Sequence, residues 1–254
     1  MVSKKVAVIS STPELAARVG LSPSGATKQR DRIVTKSYAL LPCDLRALAP
    51  ISTVIRKAQA EEEEAKSPST PSSSSSGFSF DPSSPTLFIS ECVLVYLPPE
   101  AGNEVLRDAL ALLTNDDDGA EGAIIVYDPC RPDTAFGQQM ATNLRARGCE
   151  LLGIGAARDP RGAAERLQRA KWECCGGGEG SAADLRTVWE RHLPATARAR
   201  ASQIEQLDEL EEFNLIMEHY FLAVGVKKMR RKGGSGVLKG FGIASLAEET
   251  KVKL

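Results

Sequence analysis

No run of apolar residues in this 254-residue chain approaches the ~20 needed to cross a bilayer as a helix. The apolar run after Lys4 and Lys5 is too short for a secretory leader and lacks a cleavage-site pattern. Histidine is nearly absent. The two present, His192 and His219, are widely spaced and have no acid cluster at ligand spacing, so a metal site is not expected. No G-x-S-x-G occurs, which removes the common signature of a serine hydrolase. Six cysteines are scattered, and none forms a C-x-x-C pair. Buried, reduced thiols in a cytoplasmic protein are the expectation. Charge of either sign is not in excess either. The net charge of −1 gives no general affinity for nucleic acid or membrane, so neither is expected as a partner.

What is present is an alternation of strand and helix patterns. Residues 37–42 read as a strand, with Asp44 just past its end. Four glutamates at 61–64 lead into a Ser/Pro/Thr tract, Ser67 to Ser76, that has too little apolar surface to offset its ordering entropy. Residues 58–84 are therefore expected to be a disordered insertion, between ordered parts at 1–57 and 85–228. Beyond lies a basic, Gly-rich tail at 229–254. Residues 100–113 carry a helical stripe, Val105, Leu106, Ala109, Leu110 and Leu113. A turn is expected at 115–119. Ala123 to Tyr127 reads as a buried strand ended by Asp128-Pro129. Phe136, Met140 and Leu144 mark a helix stopping near Gly148. Strand character is expected at 149–154, 172–175 and 217–226, and helix at 161–170 and 203–213. Three glycine clusters, at 153–155, 178–183 and 233–236, read as loops, because none follows a strong first strand. The alternation implies an α/β fold with crossover units and a mainly parallel sheet.

Residues 86–97 hold the most informative stretch. An apolar run, Leu87 to Ile89, is interrupted by Glu91 and followed at once by Val93 to Leu97. A carboxylate at such a strand end is costly to bury without a partner, and strand carboxyl ends are where α/β folds bind ligands. Glu91 is thus a site candidate.

The segment Ser90-Glu91-Cys92-Val93-Leu94-Val95-Tyr96-Leu97 resembles the signature of the leucine carboxyl methyltransferases. The likeness runs in order through Cys43-Asp44-Leu45-Arg46-Ala47-Leu48, Phe136-Gly137-Gln138, Asn143-Leu144-Arg145 and Gly148 to Leu151. It continues through Glu165-Arg166-Leu167, Trp172-Glu173, Ser202 to Glu205 and Met217 to Tyr220. It implies a Rossmann-like fold that binds S-adenosylmethionine (SAM) as cofactor. It also implies methylation of the C-terminal leucine of the protein phosphatase 2A catalytic subunit, which would be the partner of a monomeric enzyme. The family's Gly-rich first strand, second-strand acid and basic clamp have no counterpart here. The sheet is therefore expected to be incomplete, with the first strands missing and the chain lacking the N-terminal third. On this likeness Asp44 and Leu45 would meet the adenine, Glu91 the methionine end of SAM, and Tyr96 the substrate pocket. Each has an ordinary alternative. Asp44 can cap a helix beginning near Leu45, Glu91 can accept backbone amides of the next turn, and Tyr96 can be a half-buried surface residue. No catalytic acid or base is assigned, because the substrate α-carboxylate is already ionised. A non-catalytic phosphatase-binding fragment is one alternative function. A methyltransferase of the tRNA wybutosine type is another.

Overall fold

The computed structural model describes residues 2–21, 31–47, 51–64, 78–113, 121–174, 181–204, 209–227 and 241–243. The chain divides into two compact units, Met1–Asp81 and Pro82–Leu254. The expected turn at 115–119, the Ser/Pro/Thr tract and nearly all of the basic tail fall outside the described residues. Among the described residues no helix is long and apolar enough to cross a membrane, and no three His, Cys, Asp or Glu side chains converge as metal ligands.

The first unit begins with α1 (Val2–Ser11) and α2 (Pro13–Arg18). The Thr12 hydroxyl donates to Val8 O at 2.8 Å, closing α1 rather than capping α2. β1 (Ile33–Val34) and β2 (Ala39–Leu40) form an antiparallel hairpin. The Thr35 hydroxyl closes it by accepting from Tyr38 N, and joins it to the helix pair by donating to Val19 O at 2.7 Å. α3 runs from Ile51 to Glu64, so residues 58–64 are helical and do not belong to the insertion. Its pattern places Ala58 in the core while Arg32 and Glu61 pair across from the hairpin side.

The second unit is an α/β layer built on a four-stranded sheet. Its strands are β3 (Thr86–Glu91), β4 (Gly122–Pro129), β5 (Ala182–Asp184) and β6 (Tyr220–Lys227), in the order β3-β4-β6-β5. Only β3 and β4 are parallel, in the register Glu91↔Tyr127. β6 is antiparallel to both β4 and β5, so the sheet is mixed rather than mainly parallel. The reason is the connection into β6. α9 (Leu210–Glu218) hands over to β6 through His219 alone. So short a link starts β6 beside Pro129, at the carboxyl edge, and leaves no chain to return to the other edge, as a parallel strand requires.

α4 (Pro99–Ala111) and α6 (Pro160–Arg169) bring Leu106, Ala109, Ala163 and Leu167 into the core. Phe88, Ile124, Val126, Phe221, Ala223 and Gly225 share one face of the sheet by register. Trp172 packs there. A Cβ on Gly225 would lie 2.7 Å from the Trp172 Cβ, so the glycine is what lets the indole reach the sheet. On the opposite face Ala123, Val224 and Val226 pack with Val188 and Ile243.

α5 (Ala135–Ala146) ends in a Schellman arrangement. Gly148 has φ +74°, its N–H reaches Arg145 O, and Cys149 N–H reaches Leu144 O, each at 2.9 Å. This redirects the chain, and residues 149–154 are not a strand. Gly153 instead donates to Val95 O at 2.8 Å and leads into a 3-10 turn, Ile154–Ala156. A side chain on Gly153 would sit 2.7 Å from Leu97 O, so the segment crosses the neighbouring backbone closely rather than joining the sheet.

Other expectations are corrected too. Of the 172–175 segment, Cys175 lies outside the described residues, and among the described ones only Glu173 bridges to the sheet, opposite Val226. Ala182 and Ala183, read as loop, enter β5. Of the helix expected at 203–213, the described residues fall at the end of α8 (Ala195–Ile204) and the start of α9, and residues 205–208 lie outside the described residues. α8 is fastened by Arg198, which donates to the carbonyls of Trp189, Glu190 and Leu193, a contact that apolar periodicity does not encode. Between β5 and α8 lie a short helix α7 (Leu185–Thr187) and a π-helical turn, Val188–His192. Cys130 is buried, but Cys43 and Cys149 are exposed, because they sit just before a turn and just past a helix stop.

Candidate functional site at the sheet's carboxyl edge

Glu91 ends β3, the edge strand of the sheet. Strand alternation puts Leu87, Ile89 and Glu91 on one face, and all three are exposed. Within its own unit no described cation pairs with Glu91. The chain then turns sharply. Cys92 has φ +49°, an uncommon conformation for a residue with a side chain, and its N–H donates to Tyr127 O at 2.7 Å. A 3-10 turn, Leu94–Tyr96, follows and leads into α4. Tyr96, its last residue, is 37% exposed.

Two residues beyond the sequence reading join this edge. Tyr127, opposite Glu91 in the register, stacks on Tyr220 of β6, with ring centroids 5.3 Å apart and planes 14° from parallel. Tyr127 and Tyr220 share the face that carries Glu91, as strand alternation requires. Three of the four tyrosines therefore gather around the carboxyl edge. Burial pushes the Tyr127 hydroxyl up to about 12, with Cys92, Tyr220 and Glu91 adding to it. Burial likewise pushes the Cys92 thiol up to about 11, so it is a poor nucleophile at neutral pH.

On the other face of the sheet the turn rests on Asp128. This carboxyl is buried, and its Oδ1 has no hydrogen-bond partner among the described residues. Burial raises its pKa to about 7, against the amides of Val95 and Val93 and the charge of Arg166. Arg166 is buried as well, and its Nε donates to Asn103 Oδ1 at 2.8 Å. Sequence reading missed both. Asp128 at a strand end, followed by proline, was the available signal.

Asp44 lies in the first unit and Glu91 in the second, and each is placed only within its own unit. Asp44 and Leu45 form part of a turn, with no helix for Asp44 to cap, since Ala47 N–H bonds Asp44 O at 3.0 Å. Arg46 donates twice to the carboxylate, through Nε and a terminal nitrogen, each at 2.9 Å. That hydrogen bonding takes the Asp44 pKa down to about 2. Asp44 also lines an open cleft of about 550 Å³, with Val2, Ser3, Asp31, Pro42 and Arg46. His219 is a satisfied core residue, held by Leu215 O at 2.7 Å and by the Thr134 hydroxyl at 2.6 Å.

Residues 74–109, which span Glu91, the turn and most of α4, match the family model described as "Leucine carboxyl methyltransferase". A protein of Emericella nidulans named leucine carboxyl methyltransferase 1 is 32% identical over 93% of this chain and 59% of its own length. The chain is thus similar over most of its length to leucine carboxyl methyltransferases. The homologue in Arabidopsis thaliana is 28% identical over 88% of this chain and 58% of its own length. Human tRNA wybutosine-synthesizing protein 4 is 30% identical over 86% of this chain, but over 27% of its own. The chain thus spans somewhat under two thirds of the methyltransferases it matches. The mixed α/β sheet, with the matched segment at its carboxyl edge, is consistent with the methyltransferase fold that this similarity implies.

Proposed function

We propose that the protein is a SAM-dependent carboxyl methyltransferase, acting on the α-carboxylate of the C-terminal leucine of the protein phosphatase 2A catalytic subunit in the cytoplasm. The observation that carries this reading is Glu91. An exposed carboxylate, free of any described cation in its unit, stands at the carboxyl edge inside the segment matched by the family model. The edge fits the donor chemically. Glu91 would hold the methionine ammonium by charge-assisted hydrogen bonding. Asp44 and the Leu45 amide would take the adenine, with the Asp44 carboxylate ionised for that task and shared with Arg46. Tyr96 would border the incoming peptide.

When bound, SAM supplies an electrophilic methyl group. The chain's own contribution is to bind, align and exclude water. A peptide α-carboxylate has a pKa of ~3.3–3.7, so no residue need remove a proton from it. Orientation of bound groups can lower such a barrier by roughly 7–11 kcal/mol. The raised Cys92 and Tyr127 pKa values keep those two groups neutral and agree with an edge that does not shuttle protons.

The test is transfer of label from methyl-tritiated SAM to a peptide ending in leucine. Base-labile labelling of the free-acid peptide, and none of its C-terminal amide, is expected. Phosphatase capture without labelling would replace the proposal by a non-catalytic fragment. The likeness to the human wybutosine protein supports a second reading, and label appearing on tRNA instead of peptide would favour it.

A further inference from the structure

We propose that His219 is a positioning residue of the carboxyl edge: held as the tautomer with its hydrogen on Nδ1, it ties α9 to α5 and so fixes where Tyr220 begins β6 beside Tyr127, a role that rests on the proposed function for what the edge holds. The acceptors alone place the hydrogens. Nδ1 lies 2.7 Å from Leu215 O, and a carbonyl oxygen can only accept, so Nδ1 carries the hydrogen. In the neutral imidazole Nε2 is then bare and accepts. The Thr134 hydroxyl, 2.6 Å away, is its donor. The same hydroxyl accepts Gly137 N–H at 3.0 Å, which caps α5. Its other acceptor, Arg131 O, is farther off at 3.1 Å and already faces Thr134 N–H at 3.4 Å. An unbroken series of hydrogen bonds therefore runs from Gly137 of α5 through Thr134 and His219 to Leu215 of α9.

The backbone of His219 is held as firmly as its ring. Its N–H donates to Ile216 O at 2.9 Å, and its carbonyl accepts from Cys130 N–H at 2.8 Å, just past the end of β4. The residue is 2% exposed, and its ring centroid lies 4.4 Å from that of Phe136. The end of α9, the chain leaving β4 and the start of α5 thus converge on one side chain. His219 is also the single residue between α9 and β6, so Tyr220 starts where His219 is held. Tyr220 in turn stacks on Tyr127, which stands opposite Glu91 in the register. A histidine that merely filled space would pack on Phe136 in either tautomer. Only the one with a bare Nε2 can receive the Thr134 hydroxyl and Leu215 O together.

Nitrogen-15 spectra of the imidazoles in the full chain, at about pH 8 where a free imidazole is neutral, read the tautomer directly. The chain has two histidines, so a His192→Gln variant assigns the signals. The native chain should show Nδ1 protonated and Nε2 bare. Thr134→Ser keeps the hydroxyl and should keep both that tautomer and the Overhauser contact between the Tyr127 and Tyr220 rings. Thr134→Val removes the hydroxyl. It should weaken the ring contact and lower SAM affinity about fivefold, the worth of one neutral hydrogen bond. Loss of the α5 cap by itself would lower the unfolding midpoint and leave the tyrosine pair alone. SAM affinity is the one readout that rests on the proposed function. If the native chain binds no SAM, the functional reading fails, and the tautomer and the ring contact still decide the role of His219. A native spectrum with the hydrogen on Nε2 overturns the inference, and needs no variant to fold. So does a Thr134→Val chain whose tyrosine contact is native.

Discussion

Replacing Trp172 with alanine should cost about 3–5 kcal/mol of folding stability, the range for removing a buried large aromatic. The indole is 2% exposed, and its N–H donates to Leu106 O at 3.0 Å. Its ring meets Phe88 edge-on, with centroids 6.1 Å apart. Gly225 has no side chain to fall into the vacated space, and the Trp172 Cβ stays against the sheet, so collapse would be partial. A domain with a typical ~5–15 kcal/mol of stability would lose a large part of it. Urea unfolding measures this as a lower midpoint at unchanged slope. A shift worth less than about 1 kcal/mol would mean that Trp172 does not hold α4 to the sheet.

Glu91→Ala should do the reverse: leave stability alone and weaken SAM binding by roughly 10–100-fold, the loss of one charge-assisted hydrogen-bond acceptor. The side chain is exposed, so no cavity forms. Its methylene sits on an open face beside Ile89, which is 67% exposed. Titration calorimetry separates the outcomes. Micromolar binding that survives the substitution would move the ammonium contact elsewhere, while a lowered unfolding midpoint would return Glu91 to a structural role.

Local periodicity carried much of the second unit. The stripe of α4, the four-residue repeat of α5, the Asp159-capped α6 and the apolar run of β4 are each satisfied by contacts their own spacing announces. Strand direction was not legible in that way. A buried strand has the same apolar pattern whichever way it runs, and the direction of β6 was set by the single residue between it and α9. The 149–154 segment failed for a related reason. Its apolar residues suggest a strand, but Gly148 turns the chain and Gly153 is bound to Val95 O. Of the site, Glu91 and Tyr96 were visible because a polar residue among apolar ones stands out. Asp128 and Arg166 were not, since what surrounds them is far away in sequence: Arg166 lies 38 residues beyond Asp128, and its own partners Asn103 and Pro99 O lie 63 and 67 residues before it. Tyr127 and Tyr220 became a pair only through an antiparallel register that spacing does not show.

The account turns on one claim, that the carboxyl edge around Glu91 is where the methyl donor is held. Titrating SAM into isotope-labelled protein and following backbone amide shifts tests it residue by residue. The largest shifts are expected at residues 91–96 and at Tyr127, Asp128 and Tyr220, with a second group at Asp44 and Leu45. A saturable titration that leaves 91–96 and 127–128 unmoved would contradict it.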